Sequence, residues 1–206
     1  LDFGSLDNEL RSAPIWKASD GRYSYNELLE LLKKHRLYCH AEGDLRKIFL
    51  DAAECSPIQV NEPLAKALGL DVPDFTYDFV LDVLQDGPKL RDVDSRRQLL
   101  ERLLHINHQH GDSKWVKACR YLVHGEIRLL ECTEPLFMPV DGDYHEFSEK
   151  IVDVLSRHKY GTPCKVPRTI TEILDRPRQS ELNLPLSTAE GLVCALAEVG
   201  DLSNDG

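Results

Sequence analysis

The chain has 206 residues, 42% of them hydrophobic, and sets 25 Lys and Arg against 35 Asp and Glu for a formal net charge of -10. The hydrophobic share excludes a disordered polymer, and the acidic balance disfavours a nucleic-acid or anionic-membrane surface, because phosphate binding draws on concentrated Lys and Arg. No apolar run approaches the roughly 20 residues a bilayer span requires, and the first residues lack a signal peptide's basic start and apolar centre, so a soluble chain without membrane association is expected.

The first local signal is Pro14-Ile15-Trp16 followed by Asp20-Gly21-Arg22-Tyr23. Asp-Gly favours tight reversal, so this block predicts a small β-hairpin. Ser24 and Glu27 have capping-box spacing, and Leu28, Leu29, Leu31 and Leu32 give the helix behind them an apolar face. Gly43-Asp44 introduces a second amphipathic run through Leu45, Ile48, Phe49 and Ala52, and residues 57 to 60 fit a short extended piece. A brief helix through Leu64, Ala65 and Leu68 should end at Gly69, and another within 75 to 84 should end at Asp86-Gly87-Pro88.

A long helix is predicted from about 94 to 110, with Leu99, Leu100, Leu103, Leu104 and Ile106 on one face and Arg96, Arg97, Glu101 and Arg102 on the other. Gly111 would stop it, and Ser113 would cap the next helix, whose core positions are Trp115, Val116, Cys119, Leu122 and Val123. Residues 127 to 132 fit a strand. Beyond them Pro135-Leu136-Phe137 and Asp141-Gly142-Asp143-Tyr144 repeat the opening block as P-[IL]-[WF]-x-x-x-D-G-x-Y, again ahead of a helical pattern with Phe147, Ile151, Val152 and Leu155. A recurrence with the same sequel implies duplicated units, with Ile15-Trp16 and Leu136-Phe137 at equivalent buried positions. Thr169 to Glu172 and Ser187 to Glu190 are further capping-box patterns, and Arg176 to Ser180 between them suggests an exposed loop.

The expected fold is thus α+β, predominantly helical, with two related hairpin-plus-helix units. Dividing the chain ahead of the second block assigns 1–126 to a first repeat-like unit and 127–206 to a second, partial one. The single methionine is Met138 and the last residues are Asp201 to Gly206, small and polar, which suggests a piece of a longer protein. Six dispersed cysteines (Cys39, Cys55, Cys119, Cys132, Cys164 and Cys194) lack zinc-module spacing and favour a reduced, cytoplasmic or otherwise intracellular setting; their even number leaves disulfides open.

Three stretches carry a family resemblance: Ala13-Pro14-Ile15-Trp16 with Asp20-Gly21-Arg22-Tyr23; Leu68-Gly69-Leu70-Asp71-Val72 ahead of Phe79-Val80-Leu81-Asp82-Val83-Leu84; and Arg96-Arg97-Gln98-Leu99-Leu100-Glu101-Arg102-Leu103-Leu104. Their order is similar to the repeat region of sacsin-like proteins, giant intracellular chains associated with protein quality control. It covers the first half of the chain well and the block at Pro135 less fully. The resemblance implies a scaffold that carries GHKL-type ATPase modules elsewhere and engages clients or co-chaperones. The nucleotide site does not carry over, because Asp20-Gly21, Asp86-Gly87 and Asp141-Gly142 are not followed by the clustered glycines of a phosphate lid, and no Walker or dinucleotide loop is present. No cofactor is expected.

The strongest metal-like pattern is His105, His108 and His110, whose imidazoles could share one helical end. Histidines at a helix C-terminus also interact favourably with the exposed carbonyls, which explains them without a metal. Cys39-His40 is adjacent in sequence, but a nucleophile and its base are usually assembled from distant segments. Trp16, Tyr23, Phe137 and Tyr144 could anchor a partner, although packing of each hairpin on its own helix accounts for them more simply. The sequence therefore predicts a non-catalytic scaffolding or protein-protein interaction segment, possessing protein partners or clients and further domains in its parent chain. One alternative is a hydrolase or metal-dependent enzyme built from dispersed Cys and His. The other is a nucleic-acid-binding module using Arg96, Arg97 and Arg102.

Overall fold

A computed structural model describes residues 11–41, 43–106, 112–126, 136–137, 162–163, 167–182 and 184. Two compact units emerge, Leu1–Arg91 and Asp92–Gly206. The boundary drawn from the repeat, after residue 126, marks where the second block approaches and not where packing divides. The helix over 113 to 124 packs on the one over 93 to 104, and both belong to the second unit. Short strand pairs among helices make the fold α+β and predominantly helical.

In the first unit, β1 (Trp16–Lys17) and β2 (Arg22–Tyr23) pair antiparallel, Trp16 opposite Tyr23. The turn is closed by the Ala18 N–H donating to the Gly21 carbonyl at 2.9 Å, and the Tyr23 hydroxyl donates to the Asp20 carboxylate at 2.9 Å. The D-G-x-Y spacing thus serves the turn itself. Helix α1 (Tyr25–Lys33) opens on the expected capping box: Glu27 N–H donates to Ser24 Oγ at 3.2 Å, and Ser24 N–H to the Glu27 carboxylate at 2.6 Å. Such a cap contributes about 1 kcal/mol.

Strand β3 (Leu37–Tyr38) pairs parallel with β4 (Ile58–Gln59), and α2 (Leu45–Ala52) provides the crossover that parallel pairing requires. Alternation along β3 serves two cores. Leu37 and Cys39 join Leu28, Ile58, Val60, Ala65 and Leu68 in one cluster, against which Trp16 and Tyr23 also pack. Tyr38 turns the other way, edge-on to Phe75 at 5.1 Å between ring centroids, with Phe49 and Phe79 completing an aromatic group. Helix α3 (Glu62–Ala67) ends at Gly69, whose φ of +66° suits glycine, and α4 (Tyr77–Gln85) is capped by Thr76 and ends ahead of Gly87.

The second unit is built on α5 (Val93–Leu104) and α6 (Ser113–His124), with the short helices α7 (Arg168–Thr171) and α8 (Arg176–Glu181). Leu99, Leu100 and Leu103 are fully buried, as are Trp115, Cys119, Leu122 and Ile170. Helix α5 closes at Leu104, short of the predicted 110. Its last carbonyls are taken by tertiary donors: Trp115 Nε1 donates to the Leu103 carbonyl at 3.0 Å and Arg178 Nη2 to that of Leu104 at 2.7 Å.

Several further expectations are corrected. Asp112, not Ser113, caps α6, because its carboxylate accepts from the N–H groups of Lys114 and Trp115. Residues 176 to 180 are helical, since Asp175 caps α8 and Pro177 sits in its first turn, where its missing N–H costs nothing. Thr169 lies inside α7 and does not cap a helix. Ile15 is 49% exposed, so the first block lacks the buried Ile-Trp pair that the repeat implied; Trp16 is half-buried. β5 (Leu136–Phe137) pairs parallel with β6 (Thr162–Pro163), unlike the antiparallel pairing within the first block. Phe147, Ile151, Val152 and Leu155, the strand over 127 to 132 and the Ser187 capping box lie outside the described residues.

Candidate functional site

The first unit carries an open cleft of about 480 Å³ where the tip of the β1–β2 hairpin meets the ends of β3 and β4. Ser19 joins the hairpin to the sheet. Its N–H donates to the Gln59 carbonyl at 3.0 Å, and its Oγ accepts from the Gln59 N–H at 3.2 Å. The Gln59 carboxamide in turn donates to the Cys39 carbonyl at 2.9 Å. Lys17 and Ser19 therefore face a wall made by Cys39, His40 and the segment Gln59 to Pro63.

Glu62 organises that wall. Its Oε1 takes Lys66 Nζ at 2.6 Å and its Oε2 lies 3.2 Å from His40 Nε2, while the His40 N–H donates to Asp74 at 3.2 Å. The Lys66 hydrogen bond, then that from His40, holds the Glu62 carboxyl below the usual range. These pairs are exposed and contribute little to stability, so their consequence is positional. Asn61 sits at the N-cap of α3, yet its side chain makes no capping hydrogen bond.

Cys39 and His40 do share this cleft, but they do not form an activated pair. Cys39 is only 5% exposed; burial pushes its thiol up, and Asp74 and Glu62 push further in the same direction. Burial likewise raises the Cys55 thiol and raises that of Cys119 strongly. All three are neutral thiols at neutral pH, which removes the thiolate that nucleophilic chemistry needs. The three are free cysteines.

Of the metal-like histidines, His105 is exposed and forms the C-cap of α5, its N–H donating to the Arg102 carbonyl at 3.3 Å. His108 and His110 lie outside the described residues, among which no group of three His, Cys, Asp or Glu is arranged to hold a metal ion. The arginine face suggested for nucleic acid is also rearranged. Arg96 is 7% exposed, inside the second unit, and Arg97 Nε pairs with Glu101 at 3.1 Å; Arg102 is exposed.

Arg96 belongs instead to a buried basic cluster with Arg120 and His124. Gly125 ends α6 in the left-handed region at φ +74°, and a Cβ there would run into the Arg96 guanidinium. Burial, reinforced by Arg120 and then Arg96, lowers the His124 imidazole to about 3. It is therefore neutral, and neither ring nitrogen has a hydrogen-bond partner among the described residues.

Sequence reasoning missed both the Lys17–Asn61 cleft and the Arg96–Arg120–His124 cluster. Asn61-Glu62-Pro63 was legible as a helix start with proline in the first turn, but nothing local joins it to Lys17. Comparison with protein-family models, curated proteins and solved structures finds no match to this chain. Its class rests on its own elements: a predominantly helical α+β protein with a mixed polar and apolar cleft on its first unit. Among the described residues, no helix is long and apolar enough to cross a membrane.

Proposed function

We propose that this chain is a non-catalytic interaction or scaffolding segment of a larger intracellular protein, with the cleft on the first unit as its docking point. The quality-control setting comes from the sacsin-like resemblance of its sequence motifs. The observation that supports docking is the cleft itself. Three segments distant in sequence are hydrogen-bonded together so that Lys17, Ser19 and Asn61 line one cavity. The neutral state of Cys39 beside them supports binding over thiol chemistry.

The test is site-specific photocrosslinking in cells, with a photoreactive side chain in place of Asn61 and, as control, in place of Asp51, an exposed residue of α2. A discrete protein adduct at 61, absent at 51 and reduced by Lys17→Glu, is the expected result. Identical adduct patterns at the two positions, or no adduct at 61, would overturn the proposal.

A further inference from the structure

The occupant of the cleft can be narrowed by the charges that line it, an inference that rests on the docking role just proposed. Glu62 is the acidic side chain of the lining, and both of its oxygens are engaged, one by Lys66 and the other by His40. It is not free to neutralise Lys17, an exposed ammonium without an ion pair among the described residues. The Asn61 carboxamide is likewise unspent at its helix end, and the Ser19 hydroxyl keeps its proton after its oxygen has accepted from Gln59. The cleft thus presents one cation and two neutral donors beside the exposed apolar ring of Pro63. The complement to that set is a carboxylate on a short apolar segment.

We infer that the cleft takes an extended peptide segment of a partner protein through one acidic side chain, which pairs with Lys17 and accepts hydrogen bonds from Ser19 and Asn61. A polyanion is a poor occupant, because the chain as a whole carries a net charge of -10 and repels dense negative charge. A single carboxylate within a short peptide meets the local cation with little of that repulsion. Lys17 is the specificity group in this arrangement, and the backbone ties of Ser19 and Gln59 keep the hairpin at the right distance from α3.

The experiment is an NMR titration of the ¹⁵N-labelled full chain with two terminally blocked peptides of valine and serine. One has a central aspartate, and the other an asparagine in its place, so the aspartate is the sole carboxylate compared. The aspartate peptide should shift the amides of residues 17 to 19 and 59 to 62 and bind about 5-fold more tightly than its partner, the discrimination of one partly screened ion pair. Lys17→Gln, an exposed change that leaves the fold intact, should abolish the difference. Raising the salt to about 0.5 M should shrink it.

Equal binding of the two peptides by the unaltered chain would overturn the carboxylate requirement while leaving the docking role in place. A preference for aspartate that survives Lys17→Gln would overturn the assignment to Lys17. Absence of shifts with either peptide would overturn the inference as a whole, and the crosslinking result would then decide the docking role separately.

Discussion

Acidification should weaken the second unit through one residue, His124. Its side chain is 6% exposed at the end of α6, faces Arg96 from α5 and Arg120 from its own helix, and among the described residues has no hydrogen bond to either ring nitrogen. In the folded chain it stays neutral down to about pH 3, whereas in the unfolded chain it takes up a proton near pH 6.5. Below that value the unfolded state binds the extra proton, so stability is lost as pH falls, at about 1.4 kcal/mol per pH unit. At pH 5 the folded imidazole is still neutral and the loss amounts to about 2 kcal/mol. By pH 3 it would reach roughly 4 kcal/mol, a large share of an ordinary domain's stability.

The assay is urea unfolding at pH 7 and pH 5, followed by Trp115 fluorescence in a Trp16→Phe background, since these are the two tryptophans of the chain. Leucine at 124 fills similar space and cannot titrate, so His124→Leu should lose about 2 kcal/mol less than the parent between the two pH values. Other carboxyl groups cancel in that difference. If parent and variant lose the same stability to within about 0.5 kcal/mol, His124 is not buried neutral and the account of the cluster is wrong.

Three further outcomes test the packing. Gly125→Ala should destabilise the second unit by about 2 to 3 kcal/mol in the same urea assay, combining the positive φ with displacement of the buried Arg96. Gly125→Asn, which tolerates that φ, should remain destabilised because the Cβ collision persists, and full recovery would refute the steric part. Arg178→Lys should cost about 2 kcal/mol by thermal unfolding, since a lysine cannot reproduce both the hydrogen bond to the Leu104 carbonyl and the contact 5.8 Å above the Trp115 ring. Cys119, fully buried with its thiol raised, should react with a thiol reagent at pH 7 about 100-fold or more slowly in the native chain than in urea. Peptide mass spectrometry of the labelled chain reads that rate, and equal labelling in both states would show that the α5–α6 core is open.

What the sequence settles here is governed by neighbours within about four residues. Ser24 and Glu27 meet because one helical turn separates them, and Asp20 and Tyr23 meet because the short turn between β1 and β2 keeps them three positions apart. The apolar spacing of Leu99, Leu100 and Leu103 likewise declares a buried stripe before any partner is known. The same local logic placed Arg96 on the solvent face, because charge at that spacing ordinarily faces water. Its burial depends on Gly125, far along the chain, leaving room for the guanidinium.

Helix ends show the division most clearly. Pattern alone ran α5 to about residue 110, yet it closes at Leu104 where Trp115 and Arg178, from two later helices, satisfy its last carbonyls. Residues 176 to 180 looked like a loop by composition, and Asp175 with Pro177 turned them into a helix start. The cleft is the fullest case of tertiary decision: Lys17, Cys39 and Asn61 carry no mutual spacing signal, and they meet because Ser19 hydrogen-bonds Gln59 across forty positions of chain. Covalent proximity determines turns, caps and stripes, whose partners are always within reach. Long-range hydrogen bonding and burial decide which charges go inside and which donors are left to line a cavity, since those partners are chosen by how the elements pack.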